Sequence, residues 1–261
     1  MSEVKLFQGD CLTIMPQLAE QGIKADMVLT DPPYGVTNCK WDSVIPIDEM
    51  WDSLHNIINE DTPILLFGTN PFLANLIMSN VKEFKFNFIW DKKNINNPFL
   101  CNTMPLKSHE EIAVFYKKKP YYNPQRIPKR IDYDNSRTSD KSKRIREYDG
   151  IYGTSKLSRY YVDDGTRYPQ SVISQFSGTM GECNNTLRCH PTQKPVALLE
   201  WLIKNYTKEN DLVLDFTMGS GSTGVACANL NREFIGIELE PKYFEIAKER
   251  IKEAKAQRRL I

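Results

Sequence analysis

The sequence predicts an α/β domain built on a mostly parallel twisted sheet with helices on both faces, interrupted by one insertion. Three observations carry that prediction. Short apolar runs of strand length alternate with stretches of helical spacing at both ends of the chain, and a helix between two strands returns the chain so that the strands run parallel. A small-residue turn, T-M-G-S-G-S-T-G, joins an apolar run to a helix at residues 217–224. From Lys117 the periodicity fails for about 70 positions, too long for an ordinary connection and therefore a functional insertion or an unstructured tract.

Each element follows from its spacing. Residues 4–9 read as a strand and 11–21 as a helix with Leu12, Met15, Leu18 and Ala19 on one face. Residues 27–30 form the next strand. A helix over 48–59 places Met50, Trp51, Leu54, Ile57 and Ile58 together, and Pro63 opens the apolar strand 64–67. Asn70 and Pro71 read as N-cap and first-turn proline of a helix over 72–80. Phe84, Phe86, Phe88 and Trp90 mark a strand by strict period two, and 112–116 marks another. Beyond the break, a helix over 195–206, a strand over 212–216, a helix over 224–230, a strand over 234–238 and a proline-led helix over 241–255 complete the pattern. If the strands 212–216 and 234–238 continue spatially into 4–9, Asp10 arrives beside Glu238, and one pocket forms from both ends of the chain.

Composition sets the class. The chain has 261 residues, 41% of them hydrophobic and 26% charged, which is ordinary globular usage with a core of adequate size. No apolar run reaches the ~18 residues of a membrane helix. The opening MSEVKLFQGD carries an acidic residue and enters an alternating pattern at once, so a cytoplasmic location is expected. Six cysteines lie at 11, 39, 101, 183, 189 and 227 without a CxxC pair. Cys183, Cys189 and His190 miss zinc-ligand spacing, so reduced structural thiols and no metal are the expectation.

Two stretches exceed structural need, and both fall at the carboxyl ends of expected strands, where open α/β sheets bind ligands. In "LVLDFTMGSGSTG" (212–224), Gly219, Gly221 and Gly224 fit G-x-G-x-x-G, a pattern that lets backbone approach a ligand at a helix N-terminus. Glu238, ending the next strand, is placed to accept from ribose hydroxyls. Asp215 would repel a pyrophosphate. A cationic nucleoside cofactor therefore fits better than a dinucleotide, and S-adenosylmethionine, with its sulfonium and amino group, is such a cofactor.

The second stretch is "TDPPYG" (30–35). An exocyclic amine on a nucleic-acid base is a poor nucleophile because its lone pair is delocalised into the ring, and fixed acceptors for its hydrogens favour the tetrahedral, reactive geometry. Asp31 can supply one acceptor and the carbonyl of Pro32 the other, with Pro32 and Pro33 restricting the backbone around it. Tyr34 offers a flat face to an extruded base. Gly35 lets the chain leave tightly.

D-P-P-Y after a strand, H-P-T-Q-K-P (190–195) before a helix and D-F-T-M-G-S-G-S-T (215–223) together resemble the amino-group DNA methyltransferases of the permuted β class. The resemblance covers nearly the whole chain except about residues 118–188. It implies a Rossmann-like methyltransferase fold, circularly permuted, with residues 1–117 as the catalytic half, 118–188 as an inserted target-recognition region and 189–261 as the cofactor-binding half. Asp31, Pro32, Pro33 and Tyr34 would be catalytic and hold a flipped base. Asp10 would help bind the adenine of S-adenosylmethionine, Asp215, Phe216, Thr217, Gly219, Ser220, Gly221 and Ser222 would cradle its methionine and ribose, Glu238 would take the ribose hydroxyls, and Cys11 and Thr223 would also bind the cofactor. Thr192, Lys194 and Asp31 would line the same pocket. The chain departs from the usual D-P-F of this class at Phe216 and Thr217. The implied reaction is methylation of adenine N6 in DNA, since D-P-P-Y accompanies adenine more often and S-P-P-Y cytosine, with cytosine N4 the alternative. Implied partners are DNA, a second copy in a homodimer and a cognate restriction endonuclease. From other classes, a nicotinamide oxidoreductase and a catalytically silent DNA-binding module stand as alternatives.

Between Lys117 and Gln170 lie 14 Lys and Arg against 7 Asp and Glu, with eight of the twelve tyrosines. The net charge of +1 therefore hides a basic region on an otherwise acidic chain. Basic side chains neutralise phosphates and tyrosines stack on bases, so this region is the candidate DNA contact, with Arg126, Lys129, Arg130, Lys143, Arg144 and Arg146 as its contact residues. His55 reads as structural. His109 reads either as a residue at the mouth of the site or as a plain strand end.

Overall fold

The structure, a computed structural model, describes residues 2–35, 43–95, 99, 101–128, 165–178 and 193–258. Contacts divide the chain into a unit of Met1–Asn123 with Gln170–Ile261 and a second unit, Pro124–Pro169. Of the residues singled out above, Cys39, Lys129, Arg130, Lys143, Arg144, Arg146, Cys183, Cys189, His190 and Thr192 lie outside the described residues.

In the first unit the chain runs through β1 (Val4–Gln8), α1 (Cys11–Glu20), β2 (Met27–Thr30), α2 (Ile47–Ile57), β3 (Ile64–Gly68), α3 (Phe72–Ser79), β4 (Phe84–Asp91) and β5 (His109–Phe115). The second unit contributes β6 (Ile127–Pro128) and β7 (Thr166–Arg167), paired antiparallel. The first unit then resumes with β8 (Val172–Ile173), α4 (Val196–Tyr206), β9 (Leu212–Asp215), α5 (Ser222–Leu230), β10 (Glu233–Glu238) and α6 (Pro241–Arg258).

Eight strands form one sheet in the order β1-β10-β9-β2-β3-β5-β4-β8. Only β5 runs against its neighbours, on both sides. The first strand pairs in parallel with the last, Val4 with Phe234 through Gln8 with Glu238, and the Gly9 N–H donates to the Glu238 carbonyl at 2.9 Å. That pairing closes the permuted sheet as the sequence predicts.

The central strands read as continuous apolar runs because both of their faces are covered. Met27, Leu29, Leu65, Phe67, Val213 and Phe234 pack with α4, α5 and α6, while Val28, Ile64, Leu66, Leu214, Ile235 and Ile237 pack with α1, α2 and α3. Period two thus splits each strand between two cores, one built by the early helices and one by the late ones. Each fully buried side chain of this kind contributes about 1.5–3 kcal/mol.

Three expectations need correction. The helix after β3 is capped by Pro71, with no side-chain cap from Asn70. A short helix whose first turn is already held by the Leu73 N–H on the Thr69 carbonyl, at 3.0 Å, has less need of one. The helix expected over 224–230 begins at Ser222, because Gly221 takes the left-handed conformation, φ 79 and ψ 25, and turns the chain two residues early. β8, inside the tract without periodicity, pairs with Ile89 and Trp90 of β4; two residues are too few to show a period. Among the described residues no helix is long and apolar enough to cross a membrane.

Candidate active site

β9 and β2 are neighbours, yet β9 leads through α5 to β10 on one side whereas β2 leads through α2 to β3 on the other. Such a reversal opens a crevice at the carboxyl ends of the strands. Here it is a cavity of about 380 Å³.

The two unusual sequence stretches are bonded to each other at its floor. Thr30, the last residue of β2, donates through Oγ1 to Asp215 Oδ1 at 2.6 Å, and its Oγ1 lies 2.6 Å from that of Thr217. Thr217 Oγ1 also reaches the Asp31 carbonyl at 3.1 Å, and its backbone N–H donates to Asp215 Oδ1 at 3.2 Å. The D-F-T-M variant therefore places a hydroxyl where it ties the acceptor motif to the glycine turn. Asp215 is 3% exposed. Burial pushes its carboxyl up to about 6, against the opposing hydrogen bonds of Thr223, Thr30 and the Thr217 amide, and the nearby charge of Asp31 pushes the same way as burial.

Glu238 closes the other side. Its two carboxylate oxygens accept from the Gly219 N–H at 2.8 Å and the Glu240 N–H at 2.9 Å, so the side chain is held with lone pairs to spare. Burial raises its pKa, with those amides opposing. Asp10 caps α1 by accepting from the Leu12 N–H at 2.9 Å. Burial, then the charge of Asp10, pushes the Cys11 thiol up to about 12, so it stays a neutral wall residue.

Asp31 is engaged at both oxygens. Tyr34 donates its hydroxyl to Oδ1, and Lys194 stands 2.5 Å from Oδ2. The Tyr34 ring packs against Phe72 with centroids 5.3 Å apart. Lys194 also lies 3.2 Å from Glu110 Oε2, and Lys92 lies 2.6 Å from Glu110 Oε1. Burial opposes the charge on Lys194, but Asp31 and Glu110 outweigh it and raise its pKa. Burial likewise acts against ionised Glu110, yet Lys194 and Lys92 hold its carboxyl down at about 2.

The cavity is lined by Asp10, Cys11, Asp31, Pro32, Pro33, Tyr34, Lys194, Asp215, Phe216, Thr217, Gly219, Ser220, Ser222, Thr223 and Glu238 of the expected set. Gly221 is not among them. A Cβ there would stand 2.8 Å from that of Ala247, and one at Gly224 would stand 2.3 Å from Ile251 Cδ1, so two of the three glycines serve the packing of α5 on α6. Arg250 of α6 secures the turn, donating to the Ser220 carbonyl at 2.5 Å and reaching Ser222 Oγ at 3.3 Å. In the second unit, Arg126 donates to Thr166 Oγ1 at 2.6 Å and lies over the Tyr168 ring at 4.9 Å.

The sequence reading missed Glu110, Thr69 and Lys107, which donates to Thr69 Oγ1, and left His109 open; all four line the cavity. A signal for Glu110 exists. Extending the alternation of β5 backwards puts it on the face of Ile112 and Val114, where an acidic residue has no place in a plain core. Five lining carboxylates, Asp10, Asp31, Glu110, Asp215 and Glu238, face two lysines, Lys107 and Lys194. The resulting field favours a cationic ligand.

Comparison with known proteins gives the family. The Type II methyltransferase M2.MboI of Moraxella bovis is 26% identical over 273 residues, spanning 95% of this chain and 87% of the relative. The crystal structure of the M1.HpyAVI–SAM complex superposes with a TM-score of 0.62 at 25% identity, covering 95% of this chain and 98% of that one. PvuII DNA methyltransferase (cytosine-N4-specific), at 15% identity and a TM-score of 0.64 over 98% of this chain and 93% of its own, shares the fold. The DNA methylase family (N6/N4 Mtase) matches residues 25–249, and the chain belongs to that family.

Proposed function

We propose that this DNA methyltransferase transfers the methyl group of S-adenosylmethionine to the N6 amino group of adenine after the base has left the duplex. The observation that carries the reading is the direct bonding of the D-P-P-Y stretch to the glycine turn, Thr30 to Asp215 and Thr217 to Asp31, which supports an amine site and a donor site on one cavity. The residues present fit the cofactor. The cavity volume is within the range of sites for ligands of that size, its carboxylates suit a cation, and a Cβ at Gly219 would meet no atom within 4 Å, so backbone there is open to a ligand. The M1.HpyAVI complex with SAM supports the same choice.

In this reading Asp10 faces the cofactor adenine, Glu238 the ribose hydroxyls, and the turn from Asp215 to Thr223 the methionine. Bound there, S-adenosylmethionine supplies an electrophilic methyl group. Asp31 accepts one hydrogen of the base amine and the Pro32 carbonyl the other, drawing the nitrogen towards tetrahedral geometry, while Tyr34 stacks on the ring. One preorganised partner of this kind is worth about 10²–10³ in rate. Contacts to phosphate fall to the basic stretch that includes Arg126, Lys129, Arg130, Lys143, Arg144 and Arg146. The proposal includes a cytoplasmic setting, pairing of two copies and, from the Type II names of the relatives, a cognate endonuclease.

The test is transfer of labelled methyl from S-adenosylmethionine to unmethylated bacterial genomic DNA, followed by nucleoside analysis and sequencing of the modified positions. Labelled N6-methyladenine is expected. N4-methylcytosine would correct the target, and no transfer at all would overturn the reading.

A further inference from the structure

Four charged side chains of alternating sign run in a row into the cavity: Lys92, Glu110, Lys194 and Asp31, with successive contacts of 2.6, 3.2 and 2.5 Å. The row is sheltered. Side-chain exposures are 15% for Lys92, 16% for Glu110, 9% for Lys194 and 28% for Asp31. The ammonium of Lys194 also lies over the Phe67 ring, 5.0 Å from its centroid. Glu110 itself is fixed by the strand pairing: it stands opposite Trp90 across β4 and β5, and the Lys92 N–H donates to the Ser108 carbonyl at 2.8 Å just beyond. Its neighbour Glu111 accepts from Asn87 Nδ2 at 2.8 Å.

This arrangement bears on the reaction because Lys194 holds one oxygen of Asp31 and Tyr34 the other. An ammonium at 2.5 Å draws charge from Asp31 and fixes its direction, so Asp31 is the stronger and freer acceptor for a neutral amine when Lys194 has another counter-charge close by. We infer that Glu110 is a positioning residue: it holds the ammonium of Lys194 when Asp31 turns to the base amine, leaving that lysine neither unpaired nor locked onto Asp31. An uncompensated ammonium at such burial costs several kcal/mol, and Glu110 removes that cost at the step where Asp31 is released. Lys92 keeps Glu110 ionised in turn. The inference rests on the methyltransferase reading for the role of Asp31, while the arrangement of the row does not.

The test uses the full chain in two measurements. The first is an NMR titration of the Lys194 ammonium in protein labelled with ¹⁵N-lysine and free of any ligand, its signal assigned with Lys194→Arg. The second is the single-turnover rate of labelled methyl transfer to unmethylated bacterial genomic DNA at saturating S-adenosylmethionine. Glu110→Gln should lower the ammonium midpoint by about one pH unit or more and the rate about 10²-fold. Glu110→Asp keeps the charge on a shorter arm, so its midpoint stays near that of the native chain and its rate falls only about tenfold. A Glu110→Gln protein with the native rate or an unmoved midpoint overturns the inference, as do equal rate losses in the two variants. If Glu110→Gln does not fold, Glu110→Asp decides alone, and a rate loss of about 10²-fold there with an unmoved midpoint is the overturning result. Native protein that transfers no methyl group would sink the functional reading only, because the titration is read without substrate.

Discussion

Thr30 Oγ1 donates to Asp215 Oδ1 over 2.6 Å, linking the last residue of β2 to the last residue of β9. A carboxylate that receives such bonds usually titrates low, but full burial wins here and pushes Asp215 from 3.8 up to about 6. The folded protein therefore holds a proton that the unfolded chain has released across this window, and stability falls as pH rises through it. Relative to a carboxyl with an ordinary pKa, the ionised form costs about 3 kcal/mol above the window. Glu110 has the opposite sign, since its carboxyl is held at about 2 and stabilises above the ordinary 4.5, so its effect lies at lower pH. Urea unfolding of native protein and Asp215→Asn between pH 4 and 7 should show the variant gaining about 3 kcal/mol on the native chain. A constant gap would refute the buried-carboxyl assignment.

Asp31→Ala should abolish methyl transfer while the fold survives, because Lys194 keeps Glu110 at 3.2 Å as its counter-charge. Loss of a preorganised acceptor predicts a rate at least about 10²-fold lower. Calorimetric titration with S-adenosylhomocysteine should still show binding by the variant. Turnover near the native rate would remove Asp31 from the mechanism.

The fold was largely legible because its strands are central and buried on both faces, which writes long apolar runs such as Met27–Thr30 and Ile64–Gly68 into the chain. The motif residues were legible for a different reason: Asp31 followed by two prolines exceeds what a turn needs, and so does Gly219, where a Cβ would meet nothing within 4 Å. Glu110 and Lys92 were hidden because a single charged residue at a strand end resembles solvent exposure, and only the pairing of β4 with β5 sets Lys92 beside Glu110. The glycine pattern was misleading in part, since its letters do not distinguish Gly219, open to the cavity, from Gly221, pressed on Ala247.

That distinction is measurable. Gly219→Ala introduces a side chain at φ +52 with no atom within 4 Å, and Gly221→Ala introduces one at φ +79 against backbone at 2.9 Å. Both incur the left-handed penalty of roughly 1–2 kcal/mol. Only the second adds overpacking, about 1–3 kcal/mol more. Urea midpoints should rank Gly221→Ala below Gly219→Ala; the reverse order would contradict the packing role of Gly221.

Asp10 and Glu238 both line the cavity at the junction that closes the permuted sheet, where the Gly9 N–H reaches the Glu238 carbonyl at 2.9 Å. If both side chains face the cofactor, Asp10→Asn and Glu238→Gln should each weaken S-adenosylhomocysteine binding about tenfold or more, the loss expected for a charge-assisted hydrogen bond. Asn still caps α1 at position 10, so thermal unfolding of that variant should shift little, whereas Glu238→Gln leaves the Gly219 or the Glu240 N–H without an acceptor and should cost about 1–3 kcal/mol. Unchanged affinity in both variants would rule out this side of the pocket.

The basic stretch calls for a measurement that separates phosphate contact from internal structure. Arg126 already donates to Thr166 at 2.6 Å and covers the Tyr168 ring, so its replacement should act on the stability of the ribbon formed by β6 and β7 as well as on DNA. Arg144 and Arg146 stand in a basic run with four Lys and Arg in six residues, K-S-K-R-I-R at 141–146. If each neutralises one phosphate, replacing both by Gln lowers the slope of log affinity against log salt by about 1.8 in magnitude, whatever the DNA sequence. Fluorescence anisotropy on unmethylated duplex DNA at several salt concentrations reads that slope directly. A loss of affinity without a change of slope would mean that the two arginines act on folding or on bases, and an unchanged affinity would move the DNA contact elsewhere on the chain.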